Sequence, residues 1–261
     1  MDRHKDFASY VELKKKVFTH QTQKDFLILN QDDPNTRDLG KDCPAECVLF
    51  STQAELEKGV FLRGDKIIAR LNNSEMEVLY LESLCRGMQW QVENILPAIA
   101  TALLFNVPQD AIESALQNFT SLEHRLEWVR NLNGVDFVND SKGTNVGSVC
   151  KSLNTFDRPI ILIAGGKNKD SDFSPLKILM KEKVKHLVLI GETRKEFKEI
   201  LNGSFGYEES ETLEEAVNLA RAKAEDGDIV LLSPACSSFD MFKDYMDRGT
   251  CFKTIVKNLE G

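Results

Sequence analysis

Strand-like runs that alternate with amphipathic helices dominate the C-terminal half of the chain, and this pattern constrains the fold more than any other feature. The runs are VDFVN, PIILIAGG, KHLVLIGE and DIVLLSP, and most of them are apolar without interruption. Strands that are apolar on both faces are typical of a parallel sheet covered by helices on both sides. We therefore predict an α/β domain with a mostly parallel sheet over residues 122–261, and its last helix is expected from about Gly249.

The N-terminal part is organised differently and predicts a second domain over residues 1–121. Apolar spacing predicts an amphipathic helix from Phe7 to Phe18, in which Lys14 is the one charge on the apolar stripe. Short alternating runs between CVLFS and EMEVLYLESL indicate an antiparallel or mixed sheet. The last elements expected in this part are two helices, Val92 to Asn106, with Pro97 in its first turn, and Pro108 to Phe119.

Composition and charge exclude several classes of function. With 42% hydrophobic and 28% charged residues among 261, the chain has the composition of an ordinary globular protein with two domains. A formal net charge of -8 opposes a nucleic-acid-binding surface, because contacts to phosphates need Lys and Arg. No apolar run approaches the roughly 18 to 20 residues that span a bilayer, and the N-terminus lacks the apolar stretch of a signal peptide. We expect a cytoplasmic protein that binds neither nucleic acid nor membrane.

The turn NDSKGTN, from Asn139 to Asn145, is unusually polar for a connection between a strand and a helix. In open parallel sheets, ligands bind at the carboxyl ends of the strands, where helix N-termini present N–H groups. Asp140 is placed to accept hydrogen bonds from ribose hydroxyls, Lys142 can reach a phosphate, and Thr144 stands at the start of the next helix. The same residues equally allow a structural interpretation, in which Asp140 or Ser141 caps the helix and Lys142 is solvated.

Two further strand ends carry small and charged residues. In AGGKNKDSDFSPL, Gly165 and Gly166 allow a ligand to approach the backbone closely. Lys167 and Lys169 of the same string offer positive charge to an anion. In LLSPACSSFDMF, the residues around Ser238 are small and leave space for a ligand. Neither string is a Walker sequence, so by themselves they predict only anion-binding loops on a parallel α/β domain.

Several strings in the chain, taken together, resemble the Mur ligase family of peptidoglycan synthesis. The matching strings are MDRH at the start, HRLE at His124 to Glu127, NDSKGTN, GGKNKDSDFSPL and LLSPACSSFDMFKDYMDRG. They follow the family's order over almost the whole chain. The resemblance implies a Rossmann-like fold for the C-terminal domain, and it assigns residues 1–121 to part of the family's central, ATP-binding domain.

The resemblance also implies an ATP-dependent amide ligase that joins D-glutamate to UDP-N-acetylmuramoyl-L-alanine through an acyl phosphate. Mg²⁺ and lysine would neutralise the phosphate charge. The resembling ligase is expected to be a monomer. By similarity, Lys14 is a carbamylated magnesium ligand and, with Lys142, a catalytic residue. The residues expected to contact ATP are Asn94, Arg125, Asp140 and Lys142. The residues expected to form the D-glutamate pocket are Thr144, Lys169, Ser238 and Tyr245.

The chain departs from the family pattern in two places. No G-x4-G-K-[ST] phosphate loop occurs, and the chain begins at Met1, just after the family's metal-binding His, so we expect a fragment without ligase activity by itself. Trp90 and Gln91 stand where the family has a His-Asn pair, and Asn94 keeps the position that contacts adenine. The alternatives are a sister Mur ligase for another amino acid, a folylpolyglutamate synthase, or a stand-alone nucleotide or amino-acid binding module that starts at Met1.

Overall fold

The computed structural model of the protein describes residues 6–169, 171–201 and 206–260. The chain divides into two compact units, one ending at Thr120 and the other beginning at Ser121. The opening MDRH string and the side chain of Phe7 lie outside the described part of the chain. Within the described residues, no helix is long and apolar enough to cross a bilayer.

A five-stranded sheet forms the centre of the first unit, and its strands lie side by side in sequence order. They are β1 (Phe26–Asn30), β2 (Glu46–Ser51), β3 (Gly59–Arg63), β4 (Lys66–Leu71) and β5 (Ser74–Tyr80). β1, β2 and β3 run parallel, whereas β3, β4 and β5 pair antiparallel. The prediction of a mixed sheet is confirmed.

The α-helices described in this unit are α1 (Phe7–Lys15), α2 (Val92–Leu104) and α3 (Gln109–Asn118). Apolar residues recur every three or four positions along α2, which buries Val92, Ile95, Leu96, Ile99 and Ala100 in the core. Pro97 lies in the second turn of α2 rather than the first, because the helix already begins at Val92.

The first helix differs from its prediction. α1 ends at Lys15, and a single 3-10 turn continues it from Lys16 to Phe18. Val17 is 77% exposed and Lys14 is also exposed. Tyr10, Val11 and Phe18 of the predicted apolar stripe are half-buried, so the stripe is only partly covered among the described residues of this unit.

A six-stranded sheet forms the centre of the second unit, in the order β10-β9-β8-β11-β7-β6. The strands are β6 (Glu127–Leu132), β7 (Val135–Asn139), β8 (Ile160–Gly165), β9 (Val184–Ile190), β10 (Tyr207–Glu209) and β11 (Ile229–Leu232). Neighbouring strands are parallel except β6, which forms an antiparallel hairpin with β7. This arrangement confirms the predicted α/β fold with a mostly parallel sheet, and the short strand β10 was not predicted.

Both faces of this sheet are covered, since every residue of β8 is buried. The helices are α4 (Val146–Asn154), α5 (Leu176–Lys183), α6 (Arg194–Leu201), α7 (Leu213–Lys223) and α8 (Tyr245–Asn258). α8 begins at Tyr245 and not near Gly249 as predicted. The reason is its N-cap, because the Asp244 carboxylate accepts hydrogen bonds from the N–H groups of Met246 and Asp247 at 2.8 and 2.9 Å.

The strand order brings three polar loops to one edge of the sheet. β8, β11 and β7 are parallel neighbours, so their carboxyl ends lie side by side. The loops that follow are named here the β7 loop (residues 140–145), the β8 loop (residues 166–169) and the β11 loop (residues 233–244). Together they form the candidate site.

Candidate functional site

Asp140 organises the β7 loop from inside the protein. It is 6% exposed, and its Oδ2 accepts hydrogen bonds from the hydroxyls of Ser152 at 2.7 Å and Ser233 at 2.6 Å. Its Oδ1 faces the N–H of Leu126 at 3.4 Å. Burial raises the pKa of this carboxyl to about 6, although these hydrogen bonds and the charge of Arg125 oppose the shift. The carboxylate is engaged within its own unit, and its expected contact with ATP stays a prediction.

Lys142 lies against an aromatic ring. Its Nζ is 3.7 Å from the ring centroid of Tyr245, a position in which the negative face of the ring attracts a cation. The ring of His124 packs edge-on against the same Tyr245, with centroids 6.1 Å apart and 82° between the planes. The backbone N–H of Lys142 also donates to the carbonyl of His124 at 3.0 Å. The structure thus brings together two predicted site residues, Lys142 and Tyr245.

His124 is the centre of a buried polar network for which the sequence predicted no role. Asn139 Oδ1 accepts the N–H of Ser141 at 3.1 Å, so Asn139 Nδ2 is the group 2.9 Å from His124 Nδ1 and 3.0 Å from Glu127 Oε2. His124 Nδ1 is therefore an acceptor, and the ring is neutral with its proton on Nε2. Burial lowers the pKa of His124, while Glu127 opposes the shift. The HRLE string was the signal available in the sequence.

The backbone around this histidine takes a conformation that side chains disfavour. His124 has φ 67° and Leu126 has φ 44°, both in the left-handed region. Arg125, between them, is exposed. A Cβ at Gly249 would lie 2.2 Å from His124 Nδ1, so only glycine lets α8 approach the imidazole this closely.

Hydrogen bonds join the β11 loop to the loops on either side. The N–H of Ala235 donates to the carbonyl of Gly143 in the β7 loop at 2.9 Å. Ser237 and Lys167 exchange N–H···O bonds of 3.1 and 2.9 Å, and the Ser237 hydroxyl also donates to the Lys167 carbonyl at 2.8 Å. A Cβ at Gly143 would come within 2.8 Å of Ser233 Oγ, which explains a glycine there. The three loops therefore form one hydrogen-bonded group.

The other residues predicted for an amino-acid pocket lie on the same loops. Thr144 is partly buried and precedes Asn145, the N-cap of α4. Lys169 is exposed, and its Nζ lies 5.7 Å from the ring centroid of Phe239, which is 62% exposed. Ser238 is 2% exposed. Their roles as D-glutamate ligands stay predictions.

Arg248 is a buried residue of this group for which no role was predicted. It is 1% exposed and lies in the first turn of α8. Its Nε donates to Ser141 Oγ at 3.0 Å, and its Nη2 donates to the Ser141 carbonyl at 2.9 Å. Nη1 and Nη2 reach the Cys236 carbonyl at 3.4 and 3.3 Å. Burial lowers the pKa of this guanidinium to about 10, so it is charged at neutral pH.

The site residues predicted in the first unit lie on its surface. Lys14 is exposed, with its Nζ 5.3 Å from the ring centroid of Tyr10. Asn94 is exposed in the first turn of α2, and Trp90 and Gln91 lie in the 3-10 turn before it. Across the described ranges, no group of three or more His, Cys, Asp and Glu side chains could hold a metal ion. The described His, Cys, Asp and Glu side chains therefore do not form a magnesium site by themselves.

Two family descriptions match the chain in sequence. Residues 1–102 match the Mur ligase middle domain, and residues 124–236 match "Mur ligase, glutamate ligase domain". A protein of Geotalea uraniireducens (strain Rf4) named UDP-N-acetylmuramoylalanine--D-glutamate ligase is 42% identical over 260 residues, covering 100% of this chain and 57% of that protein. A protein of the same name from Thermoanaerobacter sp. (strain X514) is 38% identical over 264 residues, covering 99% and 58%. The chain spans less than two thirds of these relatives.

Solved structures agree with the fold. A pseudomurein peptide ligase type C from Methanothermus fervidus has a TM-score of 0.68 at 18% identity, covering 98% of this chain and 60% of that one. MurF ligase from Thermotoga maritima in complex with ADP has a TM-score of 0.63 at 16% identity, covering 97% and 58%. At such identities the likeness concerns the fold alone, whereas the two matched domains establish the relationship in sequence. The chain belongs to the Mur ligase family.

Proposed function

We propose that the chain supplies the amino-acid-binding domain and part of the ATP-binding domain of a ligase that adds D-glutamate to UDP-N-acetylmuramoyl-L-alanine. The observation that carries the proposal is the meeting of three polar loops at one sheet edge, bearing Lys142, Lys169 and Ser238. Identities of 38% and 42% to curated D-glutamate ligases, over almost the entire chain, support D-glutamate as the amino acid.

Amide formation from a carboxylate requires a better leaving group than oxide. ATP supplies it by transferring its γ-phosphoryl group to a carboxylate oxygen of the UDP-linked substrate. The amine of D-glutamate then attacks the acyl carbon, so that the C–N bond forms, the C–O bond to phosphate breaks, and the amine releases a proton. The protein holds the reacting groups in position and stabilises the charge that develops on the phosphate. These two effects account for most of the catalysis in reactions of this kind.

Lys142 is the cation of the β7 loop that we assign to a phosphate. Its ammonium lies over the face of the Tyr245 ring, and this cation–π interaction contributes roughly 0.5 to 2 kcal/mol. A phosphate oxygen offers a full opposite charge and a charge-assisted hydrogen bond. Because the lysine stem is flexible, Lys142 can exchange the ring for the phosphate without movement of the backbone.

The β8 and β11 loops are suited to an amino acid with an excess of negative charge. D-Glutamate carries two carboxylates and one ammonium group. Lys169 would pair with a carboxylate, and Ser238 would donate a hydrogen bond to it. Thr144 and Tyr245 would border the same space, since they lie at the starts of α4 and α8. We include in the proposal a cytoplasmic monomer that does not bind nucleic acid.

The described residues do not fit a magnesium ion, so we derive no step through one. Lys14 is a nitrogen base, whereas Mg²⁺ prefers oxygen ligands. Only carbamylation would give Lys14 an oxygen to offer. We include a carbamylated Lys14 as a metal ligand in the proposal, and the binding of D-glutamate to the second unit does not depend on it.

The test is calorimetric titration of D-glutamate into the purified chain, with L-glutamate and D-alanine as competing amino acids. We expect selective binding of D-glutamate that Lys169→Ala weakens about tenfold, because a charge-assisted pair to a carboxylate is lost. Lys181→Ala is the matched control, since Lys181 is an exposed lysine on α5 outside the three loops. Selective binding of L-glutamate would favour a sister ligase or a folylpolyglutamate synthase, and D-glutamate binding unchanged by Lys169→Ala would refute the pocket.

A further inference from the structure

Arg248 is a buried cation whose hydrogen-bond partners are all neutral. Two of the described residues contribute three acceptors to it, namely the hydroxyl and carbonyl of Ser141 and the carbonyl of Cys236. Asp240 and Asp140 act on its charge without forming an ion pair among the described residues. Burying a charge without a directly paired counter-charge lowers stability, so an apolar residue would be more stable at this position if the side chain only filled space.

The two partners of Arg248 belong to different loops of the candidate site. Ser141 lies in the β7 loop directly before Lys142, and Cys236 lies in the β11 loop two positions before Ser238. The Ser141 hydroxyl accepts from Arg248 Nε and itself donates to the carbonyl of Tyr245 at 2.8 Å. One planar guanidinium therefore links both loops to the first turn of α8.

We propose that Arg248 is a positioning residue that holds the β7 and β11 loops at a fixed separation, so that the phosphate assigned to Lys142 and the amino acid assigned to Ser238 are held side by side. The guanidinium is suited to this task because its donors point in fixed, divergent directions within one plane. Its link to substrate binding rests on the proposed function, whereas its effect on the two loops does not.

Arg130 provides a matched control within the same unit. Its Nη1 donates to the backbone carbonyls of Val256, Lys257 and Leu259 at 3.2, 3.0 and 2.9 Å. It thus also bonds to backbone carbonyls, but at the far end of α8 from Tyr245. Replacing either arginine with alanine should remove the packing of its side chain. Only the replacement of Arg248 should loosen the β7 and β11 loops.

The experiment compares Arg248→Ala and Arg130→Ala by hydrogen–deuterium exchange of the whole chain. We expect Arg248→Ala to speed amide exchange about tenfold or more in the β7 and β11 loops and to leave α5 and α7 unchanged. Arg130→Ala should affect only the end of α8. Free guanidinium ion, at concentrations below those that denature, should restore protection in Arg248→Ala by filling the vacated space, and ethylammonium should not.

The same samples are titrated with D-glutamate. Weaker binding in Arg248→Ala, by about tenfold, with recovery in guanidinium supports the proposal. Unchanged exchange in both loops, or equal acceleration throughout the sheet without recovery, overturns it. If the unsubstituted chain does not bind D-glutamate, the proposed function fails, and the exchange data still decide the role of Arg248. If Arg248→Ala does not fold, Arg248→Lys is judged by the same exchange criterion, because an ammonium lacks the separate coplanar nitrogens with which Arg248 bonds to the two loops.

Discussion

At the scale of single residues, buried ionisable groups determine how the β7 loop responds to pH. Burial raises the pKa of Asp140 from 3.8 to about 6, so the folded state prefers the neutral carboxyl. The contribution of this pKa shift to the free energy of unfolding is fully present below pH 3.8 and is lost as the pH rises through 6. His124 acts in the opposite direction, because burial lowers its pKa from 6.5 and acid then opposes folding. Both groups therefore titrate on the acid side of neutrality, and they change the stability of the folded state in opposite directions there.

Replacing Asp140 with Asn removes the ionisation and keeps an oxygen that can accept from Ser152 and Ser233. Asp140→Asn should gain free energy of unfolding relative to the parent as the pH rises from 4 to 8, by roughly 2.4 kcal/mol at about 1.4 kcal/mol for each pKa unit. Urea unfolding at both pH values measures this change. Asp157→Asn, at a fully exposed carboxylate, is the control and should show no such difference. An Asp140→Asn difference independent of pH would show that the carboxyl is not buried as described.

At the scale of elements, the site is built from loops and helix starts, while the strands only position them. The start of α8 matters most, since its first turn carries both Tyr245 and Arg248. The apolar pattern of this helix left its start uncertain by several residues, because periodicity does not mark where a helix begins. Asp244 decides the start through hydrogen bonds to two backbone N–H groups. A capping residue thereby places two site residues.

Asp244→Ala should lower the free energy of unfolding by about 1 kcal/mol, the usual effect of losing an N-cap. Asp244→Asn is the control, because the amide oxygen can still accept from the same N–H groups and should recover most of that stability. Thermal unfolding of the three proteins measures the effect. Equal stabilities for Asp244→Ala and the parent would indicate that α8 begins elsewhere.

At the scale of the whole molecule, the chain consists of two units that each have their own sheet and core. The second unit includes a complete six-stranded sheet, covered on both faces, together with all three loops of the candidate site. A parallel sheet with its helices is the minimum that such a domain needs in order to fold. The second unit therefore meets the requirements of an independent domain.

Residues 121–261, expressed alone, should fold cooperatively and bind D-glutamate as the longer chain does. Circular dichroism during urea unfolding tests the folding, with a single transition as the expected result. Calorimetry tests the binding, with Lys169→Ala in the same piece as the control. A piece that stays unfolded would mean that the second unit depends on residues of the first.

Local patterns in the sequence determined the order and type of most elements, the mixed and parallel sheets, and the chemical character of the three loops. These properties follow from the spacing of apolar residues and from the residue types that end each strand, which are visible within a few positions. Only the tertiary structure decided that the Asp140 carboxylate bonds to Ser233 and that Arg248 bonds to Ser141. Those partners are 93 and 107 positions apart in the chain. No local pattern records which polar groups meet at such separations, because folding alone brings their strands and helices together.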